Sequence, residues 1–167
     1  MKNPLVAILL GSDSDLEVMN EAASILKDFG VPYDMRVLSA HRSPEEVRSY
    51  VKQAGATGIR VFICGAGGAA HLAGVVAAQT TLPVIGVPIP SQLLGLDSLL
   101  STVQMPAGTP VATVSIGKSG ARNAGILACQ MLALSDSRLR QELETFKKKL
   151  VASIRKKNEQ LQKQTDS

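Results

Sequence analysis

Two histidines, His41 and His71, are the only ones in the 167-residue chain, and each follows an apolar run, His41 in a polar stretch and His71 in one rich in Gly and Ala. His41 is followed directly by Arg42, within Ser39-Ala40-His41-Arg42-Ser43. An imidazole can take up and return a proton near neutral pH. A guanidinium flanked by hydroxyls offers a phosphate a charged fork with added donors. Ser43, Pro44 and Glu46 also spell a capping box with Pro at the first helical position, so Ser43 is expected to be structural. Nothing in a helix cap calls for His41 or Arg42.

A second stretch, Gly11-Ser12-Asp13-Ser14-Asp15, opens another helix. Any of residues 12–14 could cap it. The free N–H groups and dipole of a helix start can hold a phosphate, with serine hydroxyls as further donors. An aspartate would repel that phosphate, so Asp15 is expected to face ribose hydroxyls or the reacting group. In the third stretch, CGAGGAAHLAG (64–74), Gly65, Gly67 and Ala70 match the G-x-G-x-x-A pattern of dinucleotide sites. The match follows the third strand rather than the first, and no acidic residue stands about 20 positions later to take a ribose. What remains is physical: backbone without side chains lets a flat ring approach closely. His71, expected one turn into the next helix, would face that ring or cap a neighbouring group. A fourth stretch, PIPSQLLGLDSLLSTVQMPAG (88–108), is too long for a plain connector and is read as a lid or subunit contact. Ser-His-Asp order, a P-loop and zinc-ligand spacing are all missing from the sequence. Acyl transfer, ATP hydrolysis and metal catalysis therefore lack a motif.

The elements that must position these stretches alternate from the start. Apolar runs at 5–10, 32–38, 60–66, 83–88 and 110–116 read as strands. Helices are expected from the GSDSD turn to about residue 29, at 44–54, 69–79, 97–103 and 119–134. Five β-α units without repeats or linkers predict an α/β fold: a three-layer, doubly wound parallel sheet, flavodoxin-like, in strand order 2-1-3-4-5. Ligands of such sheets bind beyond the carboxyl ends of the strands where the order reverses. Here that point lies between strands 1 and 3, near Ser12 and Gly67. Residues 1–135 form the expected catalytic domain, and 136–167 a C-terminal helix and tail that extend it. Leu139, Leu143, Phe146, Leu150, Ile154 and Leu161 mark one apolar stripe on that helix. The stripe is expected to pack partly on a second subunit, and 158–167 to fray.

Composition narrows the classes. A chain of this length buries about 70% of its unfolded surface as one domain. With 45% hydrophobic but only 3% aromatic residues, the core must be aliphatic, which suits helices on a parallel sheet. The net charge of +4 arises wholly in residues 136–167, since 1–135 hold nine basic and nine acidic residues. No aromatic stacking residues accompany those lysines, so a solvated helix face is expected rather than a nucleic-acid site. No apolar run approaches the roughly 20 residues of a membrane span, and no signal peptide is evident. Cys64 and Cys129 lie in apolar segments and are expected as reduced core thiols of a cytoplasmic protein.

Taken together, GSDSD, SAHR, GAGGAAHLAG and DSLLSTVQMPAGTPVAT resemble the class I N5-carboxyaminoimidazole ribonucleotide mutases of de novo purine biosynthesis. These belong to the catalytic-subunit family of phosphoribosylaminoimidazole carboxylase. The resemblance runs over about residues 5–134, in the same order and spacing. It implies a flavodoxin-like homo-octamer that moves a carboxylate from the exocyclic nitrogen of an aminoimidazole ribonucleotide to ring carbon four, without metal, ATP or organic cofactor. By resemblance, Ser12, Asp15 and Arg42 contact the nucleotide, His41 is the general acid/base, and Asp15 stands beside it in the catalytic set. Ser14 and Ser39 fit the same pocket, while Gly67, Gly68, His71 and Leu72 would line the base and carboxylate. Two alternatives stay open at this point. A related branch carboxylates the ribonucleotide with free carbon dioxide, and a non-catalytic nucleotide-binding module would have no need of His41.

Overall fold

The computed structural model describes residues 3–165. Five strands, β1 (Val6–Leu10), β2 (Tyr33–Val37), β3 (Val61–Gly67), β4 (Val84–Ile89) and β5 (Ala112–Thr113), form one sheet in the order β2-β1-β3-β4-β5. Every neighbouring pair is parallel. The helices are α1 (Leu16–Asp28), α2 (Pro44–Thr57), α3 (Leu72–Ala77), α4 (Leu96–Val103), α5 (Gly117–Leu132) and α6 (Ser137–Thr165). This is the expected flavodoxin-like order.

Side-chain alternation along β1 assigns the layers. Val6, Ile8 and Leu10 join Met19 and Leu26 of α1, Ala121 and Ala128 of α5, and Leu139 in one core. Ala7 and Leu9 point the other way, into a second core with Val47 and Val51 of α2 and Leu72 and Val76 of α3. All five β1 residues are fully buried, as a central strand covered on both faces requires. β2 is the edge strand on its side, paired only with β1, and Tyr33, Arg36 and Val37 are exposed. Gly65, in the middle of β3, lets α1 sit close, because a Cβ there would overlap the Met19 thioether.

Three elements differ from the sequence reading. β5 covers two residues rather than 110–116. Pro110 has no N–H to donate to a ladder, and Gly117, at φ 75°, turns the chain into α5. α3 is six residues long and begins after His71, which therefore stands at the helix start and not one turn inside it. α6 runs on to Thr165, so 158–165 are helical rather than frayed; residues 166–167 lie outside those described. Its sequence, free of Gly and Pro and rich in Lys, Glu, Gln and Arg, carries the helix that far.

On α6, Leu139 and Leu143 are buried, and the Phe146 ring meets Phe29 edge to face at 5.6 Å. Every residue from 147 to 165 is exposed, Leu150, Ile154 and Leu161 among them. Cys64 and Cys129 are free and buried. Burial raises both thiols, that of Cys129 to about 12, so neither is reactive. Among the described residues no helix is long and apolar enough to cross a membrane.

Candidate active site

The site is built where β1 and β3 end side by side. The Gly11 N–H donates to the Gly65 carbonyl at 3.0 Å, which ties the two strand ends together before their loops part. Beyond that tie the first loop makes a single 3-10 turn, Asp13–Asp15. Ser12 caps this turn: its Oγ accepts the Ser14 N–H at 3.4 Å, while Asp15 Oδ2 accepts the Ser12 N–H at 3.2 Å. The capping box of this protein is therefore at Ser12 and Asp15. Asp15 also accepts the Ser14 hydroxyl at 3.4 Å through Oδ1, and it is only 6% exposed. Burial pushes its carboxyl above the ordinary value of 3.8. The Ser12 N–H, the Ser14 hydroxyl and the Arg42 guanidinium oppose that rise, and the Asp13 carboxylate adds to it.

The second loop leaves β2 and crosses toward the first. Arg42 Nη2 donates to the Gly11 carbonyl at 3.0 Å, and Arg42 Nε donates to Ser39 Oγ at 3.4 Å. Ser43 does not cap α2 with its side chain, in contrast to the sequence reading. Its Oγ accepts the Ser39 N–H at 3.1 Å and donates to the Ser39 carbonyl at 3.2 Å, so it closes the loop on itself. This draws Ser39 beneath Arg42 and leaves both His41 and Arg42 exposed on the turn. His41 Nε2 meets His71 Nδ1 at 2.8 Å, with ring centroids 4.9 Å apart and planes at 89°. The two histidines come from different β-α units and form one pair.

These loops enclose a cleft of about 330 Å³, within the range usual for small-molecule sites. Of the residues singled out in the sequence, Ser12, Ser14, Asp15, Ser39, His41, Arg42, Gly67, His71 and Leu72 all line it. Leu72, 2% exposed, belongs to the core below and makes the floor. Gly68 stands behind the wall, with its N–H and carbonyl both turned to α4. The cleft also takes Ala40, Ala66, Ala69, Pro90 and Ser91, none of them among the site residues expected from the sequence. For Pro90 and Ser91 the length of the fourth loop was the available signal; the three alanines carry none. A larger groove of about 630 Å³ lies between α1, α5 and α6, and none of the sequence-derived site residues borders it.

Sheet and cleft together define an α/β protein with a cleft at the topological switch point, where ligands of such folds bind. That cleft joins two imidazoles, a buried carboxylate and an exposed arginine. Comparison with known proteins agrees. A family model described as AIR carboxylase matches residues 5–153, and the chain belongs to that family. It is 55% identical over 163 residues to the N5-carboxyaminoimidazole ribonucleotide mutase of Mycobacterium leprae, covering 97% of this chain and 94% of that one. With the Bacillus subtilis protein of the same name it shares 52% identity over 159 residues, 95% and 98% of the two chains. The crystal structure of Treponema denticola PurE superposes with a TM-score of 0.86 at 32% identity, covering 95% of this chain and 98% of that one.

Proposed function

We propose that this chain is an N5-carboxyaminoimidazole ribonucleotide mutase of purine biosynthesis, which turns that ribonucleotide into its 4-carboxy isomer. The observation that carries the reading is the His41–His71 pair beside Arg42 and Asp15 in one cleft, in a chain whose relatives bear that name. In the reaction the bond between the exocyclic nitrogen and the carboxylate carbon breaks. The electron pair stays on nitrogen, which takes a proton. Ring carbon four then bonds to the released carbon dioxide and gives up its own proton. One proton goes in and one comes out, so a single group alternating between acid and base serves both steps. His41 fits that role. Arg42, with Ser39 and the first loop, holds the phosphate and ribose, and Asp15 faces the ribose or the reacting group. The small residues Gly67 and Ala69 keep the gas next to the ring.

A homo-octamer in the cytoplasm, with 1–135 as the catalytic body and 136–167 as the packing extension, completes the proposal. The exposed apolar residues of α6 support it, because a second copy would cover them. One assay tests the reaction: the 4-carboxylate product is followed with the carboxylated and the uncarboxylated ribonucleotide supplied separately. Rapid conversion of the carboxylated form alone is expected. Turnover of the uncarboxylated form with dilute bicarbonate, and none of the other, would make the protein a direct carboxylase. Binding without turnover of either would make it a nucleotide-binding module.

A further inference from the structure

Ser98 lies on the inner face of α4 and is fully buried. Its Oγ donates to the Ile89 carbonyl, at the end of β4, at 2.7 Å. The same oxygen accepts the Gly68 N–H at 2.9 Å. One turn on, Ser101 Oγ donates to the Gly68 carbonyl at 3.3 Å. The peptide groups on both sides of the Gly68 α-carbon are therefore held by one helix, which fixes a residue at φ 64° in the left-handed region. Gly67 and Ala69, its neighbours, form the cleft wall, and the His71 N–H donates to the Ala69 carbonyl at 2.8 Å. A line of direct bonds thus runs from the end of β4 through Ser98 and Gly68 to the backbone that carries His71, and from His71 to His41.

We propose that Ser98, aided by Ser101, is a positioning residue of the active site. It sets the third loop against the end of β4 and so places the cleft wall and His71, without touching the substrate. The effect on turnover rests on the mutase reading above; the effect on the histidine pair does not. Without the Ser98 hydroxyl, the Gly68 N–H and the Ile89 carbonyl lose their shared partner, and the loop is free to shift. Phosphate and ribose are gripped by the other two loops, so the loss should fall on kcat rather than KM. A misplacement of the order of 1 Å can cost up to about 10²-fold in rate.

The test compares Ser98→Ala and Ser101→Ala with Thr102→Val, all in the full-length protein. Thr102 is a second buried hydroxyl on α4, but it donates only within the helix, to the Ser98 carbonyl at 2.7 Å. Melting temperature, kcat and KM are measured for each, together with the imidazole nitrogen resonances of His41 and His71. Ser98→Ala should lose about 10- to 100-fold in kcat at nearly unchanged KM and shift both imidazole signals. Ser101→Ala should do the same more weakly, because the Gly68 carbonyl keeps the Ala70 N–H at 2.8 Å. Thr102→Val should lower the melting temperature and leave kcat and the imidazole signals in place. Wild-type kcat and unshifted imidazoles in a folded Ser98→Ala protein would overturn the proposal, as would an equal loss of kcat in Thr102→Val. If Ser98→Ala does not fold, the same outcomes are read from Ser101→Ala. A wild-type protein that turns over neither ribonucleotide refutes the mutase reading instead, and the imidazole signals still decide the role of Ser98.

Discussion

His41 Nε2 and His71 Nδ1 stand 2.8 Å apart, edge to face, with room for one hydrogen between them. One ring donates and the other accepts. A neutral pair can gain one proton on an outer nitrogen and keep its contact. A second proton would leave two N–H groups pointing at each other and drive the rings apart. In the proposed carboxylate shift between nitrogen and carbon, which takes up one proton and gives up one, such a pair would keep its contact throughout.

Replacing His41 with Asn removes the proposed proton carrier and keeps a side chain of similar size that can hydrogen-bond. Turnover should fall by about 10²–10⁴-fold or more, with nucleotide affinity retained. Single-turnover rates and calorimetric binding, measured on the same sample, check this. His71→Asn should leave partial turnover. A loss of under about tenfold in His41→Asn would transfer the proton role to Asp15 or His71.

Arg42→Ala should act on binding. Its assigned partner, the phosphate, is unchanged during the reaction, so the contact stabilises bound substrate and transition state alike. A charge-assisted hydrogen bond is worth about 1.5–3 kcal/mol, which raises KM roughly 10- to 150-fold and leaves kcat near that of the wild type. Steady-state kinetics decide; a collapsed kcat at constant KM would refute the assignment.

Asp15 links the site to stability. Its carboxyl lies above 3.8 in the folded protein, so folding holds that proton more tightly than the unfolded chain does. The resulting stabilisation is fully present below the unfolded value and is lost as pH rises through the folded one. At neutral pH the buried carboxylate is therefore a cost. Asp15→Asn, whose amide oxygen can still accept the Ser12 N–H, should melt higher than wild type at about pH 7, and the difference should close as the pH falls toward about 4. Thermal melts across that interval measure it, and an advantage that grows on acidification would contradict the sign.

The exposed half of α6 lets folding be tested apart from the proposed assembly. Leu139→Ala, in the core, should destabilise the fold by about 2–5 kcal/mol. Ile154→Glu, at a position 65% exposed, should leave the body's stability alone and reduce the sedimentation coefficient. Wild type should sediment as an octamer at micromolar concentration. A wild-type monomer would remove α6 from any assembly role.

Much of this was legible in the sequence, for physical reasons. Strands buried on both faces print as continuous apolar runs, and β1 and β3 could be read directly. The switch-point rule then put Ser12 and Gly67 at one site. What was missed depends on competition between local and tertiary bonds. Ser43 has every feature of a helix cap, yet its hydroxyl closes on Ser39. Ser12 and Asp15 cap the first turn with an aspartate where the usual pattern has a glutamate. β5 reads as seven residues because its apolar side chains fit a strand, while Pro110 cannot donate to the ladder. The His41–His71 pair joins residues 30 positions apart, and no period in the chain reports it. Ser98 falls in a stretch read as a lid or subunit contact, and nothing in its spacing reports the Gly68 N–H that the fold brings onto it.

The loop that carries His41 and Arg42 hangs from β2, the edge of the sheet, whereas the other loops of the cleft start from inner strands. Segments with exposed backbone and few buried neighbours open at lower free energy than a central sheet. Amide exchange should therefore be fastest, among the strands that feed the cleft, in β2. Mild denaturant will then silence the protein while β1, β3 and β4 are still intact. A nucleotide held by Arg42, as proposed, would tie that edge to the first loop and slow its opening, so the substrate would act as a clasp on the one edge strand that feeds the cleft.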